Sequence, residues 1–207
     1  MTNKFEFNEE IAASFTDHAE RHIPNYDIVV NKCIEICNEF IDYYSNICDF
    51  GCAVGYTLTQ LHEAGFYNLY GVDSSKAMLA RCPSNIAKYY EYFPSKIFNV
   101  ILCNWTLHFI EEKELILNKF YKSLDTHGYL VLTEKTSKDE IPLRLYHNFK
   151  QSKGVSTYEI IKKKQSIEDI MFINCPEYYF DILYNIGFSN VYIIDASYCF
   201  TSFLAIK

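Results

Sequence analysis

Metal-type cysteine pairs are missing from this chain of 207 residues. Its eight cysteines stand at 33, 37, 48, 52, 82, 103, 175 and 199. None forms a C-x-x-C pair, and no histidine pair lies nearby at zinc spacing, which excludes the common structural zinc sites. Cys48, Cys82 and Cys103 sit in or beside apolar stretches, where a reduced thiol behaves as a small hydrophobe. Cys33 and Cys37 share a helix face, a placement suited to packing. A basic excess is missing too. Lys and Arg number 19 against 26 Asp and Glu, and the net charge of −7 disfavours broad binding to nucleic acid. No window approaches the roughly 18 apolar residues of a membrane span. The first ten residues carry Lys4, Glu6, Glu9 and Glu10 rather than the apolar run of a signal peptide. Free thiols then point to a reducing cytoplasm. There is no linker, repeat or low-complexity tract, so one domain over residues 1–207 is expected.

What is present is a globular composition, 49% hydrophobic and 22% charged, unusually rich in Tyr (18) and Phe (16). The organising stretch is Cys48-Asp49-Phe50-Gly51-Cys52-Ala53-Val54-Gly55. A strand-like lead-in ends in an acid and a turn with glycine at its first and last positions. A helix-compatible segment, Tyr56 to Ala64, follows, and then a second short strand ends at Asp73. Strand, glycine turn, helix, strand, acid is the plan of a nucleotide-binding βαβ unit. Glycines let the backbone approach a ligand, and the acid can accept both ribose hydroxyl hydrogens. A dinucleotide site wants G-x-G-x-x-G under a pyrophosphate. Here the pattern is G-x-x-x-G with Asp49 two residues before it, which repels a pyrophosphate and suits a cation. An adenosine carrying an amino acid and a sulfonium meets that demand, so the spacing favours S-adenosylmethionine over NAD.

Along the chain, Glu9 to Phe15 reads as a short helix, and Tyr26 to Tyr44 as an amphipathic helix over the sheet edge or the ligand cleft. Strands are expected over Asn46 to Phe50, Leu69 to Val72, Ala87 to Tyr92, Val100 to Cys103 and Tyr129 to Thr133. Helices from Ser74-Ser75 through Arg81 and from Glu111 to Leu124 alternate with them. Asp139 to Lys150 and Tyr158 to Ile170 read as helices that interrupt the alternation, and Glu177 to Ile186 as another, stopped by Gly187. Asn190 to Tyr198 and Cys199 to Ile206 are joined too closely for anything but an antiparallel hairpin. The expected fold is α/β, Rossmann-like, of the class I methyltransferase type. It has a mostly parallel seven-stranded sheet, a C-terminal antiparallel hairpin and helices on both faces. Residues 1–45 form a helical cap and 136–175 a helical insert.

The chain resembles the carboxy-S-adenosylmethionine synthases, a branch of that fold, along nearly its whole length. The matching stretches are Phe7-Asn8-Glu9-Glu10 with Phe15, Ile23-Pro24-Asn25-Tyr26, Asp49 to Gly55, and Val72-Asp73-Ser74-Ser75-Lys76-Ala77-Met78-Leu79. Asn104-Trp105-Thr106-Leu107-His108-Phe109, Thr133-Glu134-Lys135 and Tyr146 to Lys150 continue the likeness. The resemblance implies S-adenosylmethionine or its carboxylated form as ligand. It puts Asp49, Gly51, Cys52, Ala53 and Gly55 around the methionyl part, Asp73 with Ser74 at the ribose, and Met78 on the adenine. Asn104, Trp105 and Thr106 line the reacting end. It also implies pairing into a homodimer through the helical insert. Three positions differ from the family pattern. Lys164 stands on the arginine that binds the ligand's extra carboxylate, keeping the charge but losing the bidentate fork. The segment from Cys82 to Val100 is short, leaving Glu91 as the candidate for adenine N6, with Tyr92 or Phe93 stacking. His108 replaces a glutamine.

His108 is a candidate general base, because imidazole titrates near neutrality; it also fits a helix-start residue at the cleft wall. Tyr26 is a candidate for reaching over the ligand or a substrate, and Lys164 for an anion site. The expected activity is methyl transfer from S-adenosylmethionine to a small or medium-sized acceptor. The alternatives are carboxy-S-adenosylmethionine synthesis from a donor such as prephenate, linked to tRNA wobble uridine modification, and a cofactor-binding partner subunit without turnover.

Overall fold

The computed structural model describes residues 8–207; Phe7 lies outside the described residues. The elements are α1 (Glu9–Ala13), α2 (Phe15–His22), α3 (Tyr26–Phe40), β1 (Asn46–Phe50), α4 (Tyr56–Glu63), β2 (Asn68–Val72), α5 (Lys76–Leu79), β3 (Lys88–Tyr90) and β4 (Phe98–Asn104). They continue as α6 (Lys113–Ser123), β5 (Leu124–Lys135), α7 (Glu140–Ser152), α8 (Thr157–Ile167), α9 (Pro176–Ile186), β6 (Asn190–Ser197) and β7 (Phe200–Ile206). Short 3-10 turns cover Leu107–Phe109 and Glu168–Ile170.

The seven strands lie in the order β3-β2-β1-β4-β5-β7-β6. β1 to β5 are mutually parallel where they pair, and β7 runs antiparallel to both β5 and β6. This is the Rossmann-like class I methyltransferase sheet with its C-terminal antiparallel pair. Side chains of alternate strand residues separate into two cores. Cys48, Ile101, Leu130 and Phe203 pack with Phe120 of α6 and Tyr179 of α9 on one face. Ile47, Leu69, Val100 and Leu204 pack with Cys37 of α3 and Leu61 of α4 on the other. Strands covered on both faces read as unbroken apolar runs, as Val100 to Cys103 does.

Several boundaries differ from the sequence reading. Glu9 to Phe15 is not one helix: Ser14 leaves helical geometry at φ −129° and ψ 24°, α1 stops there, and α2 begins anew. α5 ends at Leu79 rather than Arg81, and α8 gives way at Ile167 to a 3-10 turn. β4 starts two residues earlier than its apolar run, and β5 starts at Leu124, where a bulge opposite Phe98 and Val100 shifts the register. Between the helix and the apolar run of Tyr129 to Thr133, the exposed residues Asp125, Thr126 and His127 are the entrance of the strand itself. All eight cysteines are free thiols. Among the described residues, no helix is long and apolar enough to cross a membrane, and no His, Cys, Asp and Glu group could hold a metal ion.

The parallel strands end on one side of the sheet, and α2, α7 and α8 lie over that side. Arg21 of α2 donates to the carbonyls of Lys153 and Gly154 at 3.3 and 3.2 Å. The Tyr146 hydroxyl of α7 donates to the His22 carbonyl at 2.8 Å. The N-terminal helices and the insert are thus tied together as a roof. Lys32 of α3 pairs with Asp195 of β6 at 2.8 Å and anchors α3 to the sheet edge.

Candidate functional site

A cavity of about 810 Å³ lies between the strand ends and this roof. Its floor is the turn after β1. Gly51 (φ +83°) and Gly55 (φ +81°) take left-handed conformations that favour glycine. A Cβ on Gly51 would overlap the Thr106 side chain, so glycine also makes room for the loop after β4. Asp73, at the end of β2, accepts from the Ala53 amide at 2.9 Å with one oxygen and from the Ser75 amide at 2.8 Å with the other. These bonds hold the Asp73 carboxylate down, but burial outweighs them and pushes it up.

Asp49 is the more telling acid. It is buried, and among the described residues no hydrogen-bond donor stabilises its carboxylate. Burial, and then the Asp73 charge, push it up to about 7. A buried carboxylate beside a second acid is a costly arrangement that a positively charged ligand relieves. Two orphaned polar atoms face the same region: the Asn104 side-chain oxygen and the Trp105 indole N–H are buried without hydrogen-bond partners. Trp105 also sits at φ +55°, a conformation uncommon outside glycine. Its ring stacks on Tyr26 at 5.0 Å between centroids, and Tyr26 stacks on Tyr56 at 5.6 Å. Burial pushes the Tyr26 hydroxyl well up, so Tyr26 is a wall and a hydrogen-bond donor rather than a phenolate base.

The roof is cationic. Lys150 is 5% exposed and lies 4.0 Å above the Tyr146 ring. Burial, with Lys163 and Lys135 beside it, pulls it down to about 7. Burial alone pulls Lys163 down to about 8, and its ammonium contacts the His18 Nε2. Burial pulls Lys135 down as well. The imidazoles of His18 and His22 stack at 3.9 Å; burial first, and Lys163 next, hold them at about 4 and about 3, as neutral rings. No salt bridge from a carboxylate reaches Lys135 or Lys150 among the described residues. The arrangement invites an anion.

At the opposite wall Glu134 of β5 is fully buried. One of its oxygens accepts from the amides of Thr106 (3.1 Å) and Leu107 (2.8 Å). The other accepts from the His108 amide (2.6 Å) and from His108 Nδ1 (2.7 Å). The His108 carbonyl in turn accepts from the Phe172 amide at 2.8 Å.

The cavity brings together nearly every residue expected from the sequence: Tyr26, Asp49, Gly51, Cys52, Ala53, Asp73, Ser74, Met78, Glu91, Asn104, Trp105, Thr106, His108 and Lys164. Gly55 stands just behind it as the N-cap of α4. Glu91 is also paired with Lys76 at 3.6 Å, Tyr92 is 78% exposed at the rim, and Phe93 packs into the core. Lys164 borders the cavity but is exposed, while Lys135, Lys150 and Lys163 lie deeper. Sequence reasoning left out Lys135 and Lys150, and weighed Lys163 only within the run Lys162 to Lys164, because a lysine on a helix or at a strand end ordinarily faces water. It also left out Glu134 as an individual residue; an acid closing the run Leu130-Val131-Leu132-Thr133 was the available signal.

The model of the methyltransferase domain matches residues 18–169. The carboxy-S-adenosyl-L-methionine synthase of Mannheimia succiniciproducens is 30% identical over 225 residues, covering 98% of this chain and 93% of that protein. The chain belongs to the methyltransferase domain family, on the branch of these synthases. The synthase of Haemophilus ducreyi is 28% identical over 225 residues, covering 98% of this chain and 92% of its own. In fold, this family member is similar to a Synechocystis magnesium protoporphyrin IX methyltransferase solved with bound SAH (TM-score 0.66, 15% identity, 91% and 86% covered). It is likewise similar to a plantazolicin methyltransferase solved with a substrate analogue and SAH (TM-score 0.70, 14% identity, 96% and 90% covered).

Proposed function

We propose that the protein is an S-adenosylmethionine-dependent methyltransferase acting on a small or medium-sized acceptor that carries an anionic group. The observation that carries this reading is Asp49, a buried carboxylate without a donor, beside Asp73 at a glycine turn. A cationic nucleoside supplies the charge that Asp49 lacks and the hydroxyls that Asp73 can accept. Met78 is then the floor of the adenine, Glu91 the acceptor for its N6, and Gly51, Cys52, Ala53, Gly55 and Ser74 the backbone around the ligand. Asn104, Trp105 and Thr106 line its reacting end, with the orphaned Asn104 oxygen and Trp105 N–H as partners. Tyr26 closes the reacting end. When bound, S-adenosylmethionine supplies a methyl group already activated on a sulfonium, so the residues chiefly align the acceptor and exclude water.

A second reading is carboxy-S-adenosyl-L-methionine synthesis from S-adenosylmethionine and prephenate, linked to tRNA wobble uridine modification. The buried lysines favour it, as do relatives of that name over almost the whole chain. Lys164 then answers the carboxylate together with the deeper Lys150 and Lys163. We place the protein in the cytoplasm as a homodimer without direct nucleic-acid binding. Exposed Ile141, Leu145, Tyr158 and Ile161 on α7 and α8 support pairing through the insert.

Mass spectrometry of the small molecule released on denaturing fresh protein tests both readings. S-adenosylmethionine or its demethylated product supports methyl transfer, and the carboxylated form supports the second reading. Protein that is empty and also ignores added S-adenosylmethionine contradicts both.

A further inference from the structure

His108 and Glu134 form a pair that the fold alone does not require. A carboxylate that only caps the turn after β4 needs the three backbone amides of Thr106, Leu107 and His108. Here the same oxygen that takes the His108 amide also takes its ring nitrogen, at 2.7 Å and with both side chains buried. An ionised carboxylate can only accept, so Nδ1 carries the hydrogen. In the neutral ring Nε2 is then left with a lone pair. Among the described residues it has no hydrogen-bond partner, and the ring lies on the cavity wall. This is also where the chain departs from the glutamine of its family resemblance: an amide can donate and accept but cannot take a proton at neutral pH. The departure sets an imidazole against a buried carboxylate, Glu134, that belongs to the shared pattern.

We propose that His108 Nε2 is the proton acceptor of the transfer, and that Glu134 is the positioning residue that fixes its tautomer. The acceptor is accordingly a small molecule whose attacking atom is an O–H, N–H or S–H group. As that atom bonds to the transferred carbon, its hydrogen passes to Nε2. The carbon–sulfur bond breaks with its electron pair left on sulfur, and the imidazolium formed is paired with the Glu134 carboxylate. Charge is conserved: the sulfonium becomes a thioether and the imidazole becomes a cation. This rests on the methyl-transfer reading above.

The test uses the intact protein and needs no acceptor. Histidine-labelled protein is examined by nitrogen NMR, and native carbethoxylation with diethyl pyrocarbonate is mapped by mass spectrometry. The expected result is a hydrogen on Nδ1 of His108, a bare Nε2, and modification of His108 in the native state. Glu134→Gln is expected to lose the fixed tautomer. A hydrogen on Nε2 in the unmodified protein, or a native His108 that resists the reagent while exposed His127 reacts, overturns the proposal without any variant. A Glu134→Gln protein that melts cooperatively and keeps the original tautomer overturns the role of Glu134. Calorimetry with S-adenosylhomocysteine separates the two levels. Binding with an unreactive His108 defeats only the pair, whereas absence of binding defeats the methyl-transfer reading beneath it.

Discussion

The carboxylate of Asp73 holds the amide of Ala53 at 2.9 Å, tying the end of β2 to the turn that follows β1. Ala53 sits at φ +48°, so the acid steadies a conformation that alanine adopts at a cost. Asp73 therefore has two tasks, shaping the floor and accepting from the ligand. Asp73→Ala is expected to weaken S-adenosylmethionine binding by roughly 10²- to 10⁴-fold, what two hydrogen bonds to a charged group supply. Calorimetric titration checks it, and unchanged affinity would put the site elsewhere.

Asp49 sets a pH dependence. Its folded-state value of about 7 lies above the ordinary 3.8. On this group's part, stability of the empty protein is fullest below pH 3.8 and is lost as pH rises through about 7. Asp49→Asn removes that loss, and the empty variant should be more stable at pH 8 by roughly 2–4 kcal/mol. The same variant should fail to bind S-adenosylmethionine. For the unmodified protein, affinity for this cation should fall about tenfold for each pH unit below 7. Thermal melts and titrations at pH 6 and pH 8 read both effects.

Gly51→Ala combines a left-handed φ of +83° with a Cβ driven against Thr106. A cost of about 1–3 kcal/mol in stability is expected, with loss of cofactor binding. A variant that melts and binds like the original would show that the turn can be rebuilt.

Lys150→Met keeps the packing on Tyr146 and removes the deepest cation. Because Lys150 and Lys163 lose their protons through about 7 and about 8, affinity for succinate or inorganic phosphate should be greatest below pH 7 and decline above it. The variant should lose roughly tenfold or more of it, as expected for one charged hydrogen bond. Equal anion binding by both proteins would remove Lys150 from the site.

Much of this was legible in the sequence, for physical reasons. Val100 to Cys103 announces a strand covered on both faces, and Asp49, Gly51, Gly55 and Asp73 lie in two short stretches whose spacing is set by one βαβ unit. Local pattern stopped short where meaning depends on what a side chain meets across the fold. Lys150 looks like any helix lysine until α2, bearing His18 and His22, is laid over it. The second helix of the cap is not legible in local pattern because Ser14 breaks the periodicity after about one turn and a half. His108 and Glu134 are 26 residues apart, and only the pairing of β4 with β5 makes them partners.

The most direct test is a calorimetric titration of S-adenosylmethionine into the unmodified protein and into Asp49→Asn at pH 8. Saturable binding to one site in the first and none in the second is the predicted result. No binding to the unmodified protein, or equal binding to both, would contradict the assignment of Asp49 as the carboxylate that answers the cofactor's charge.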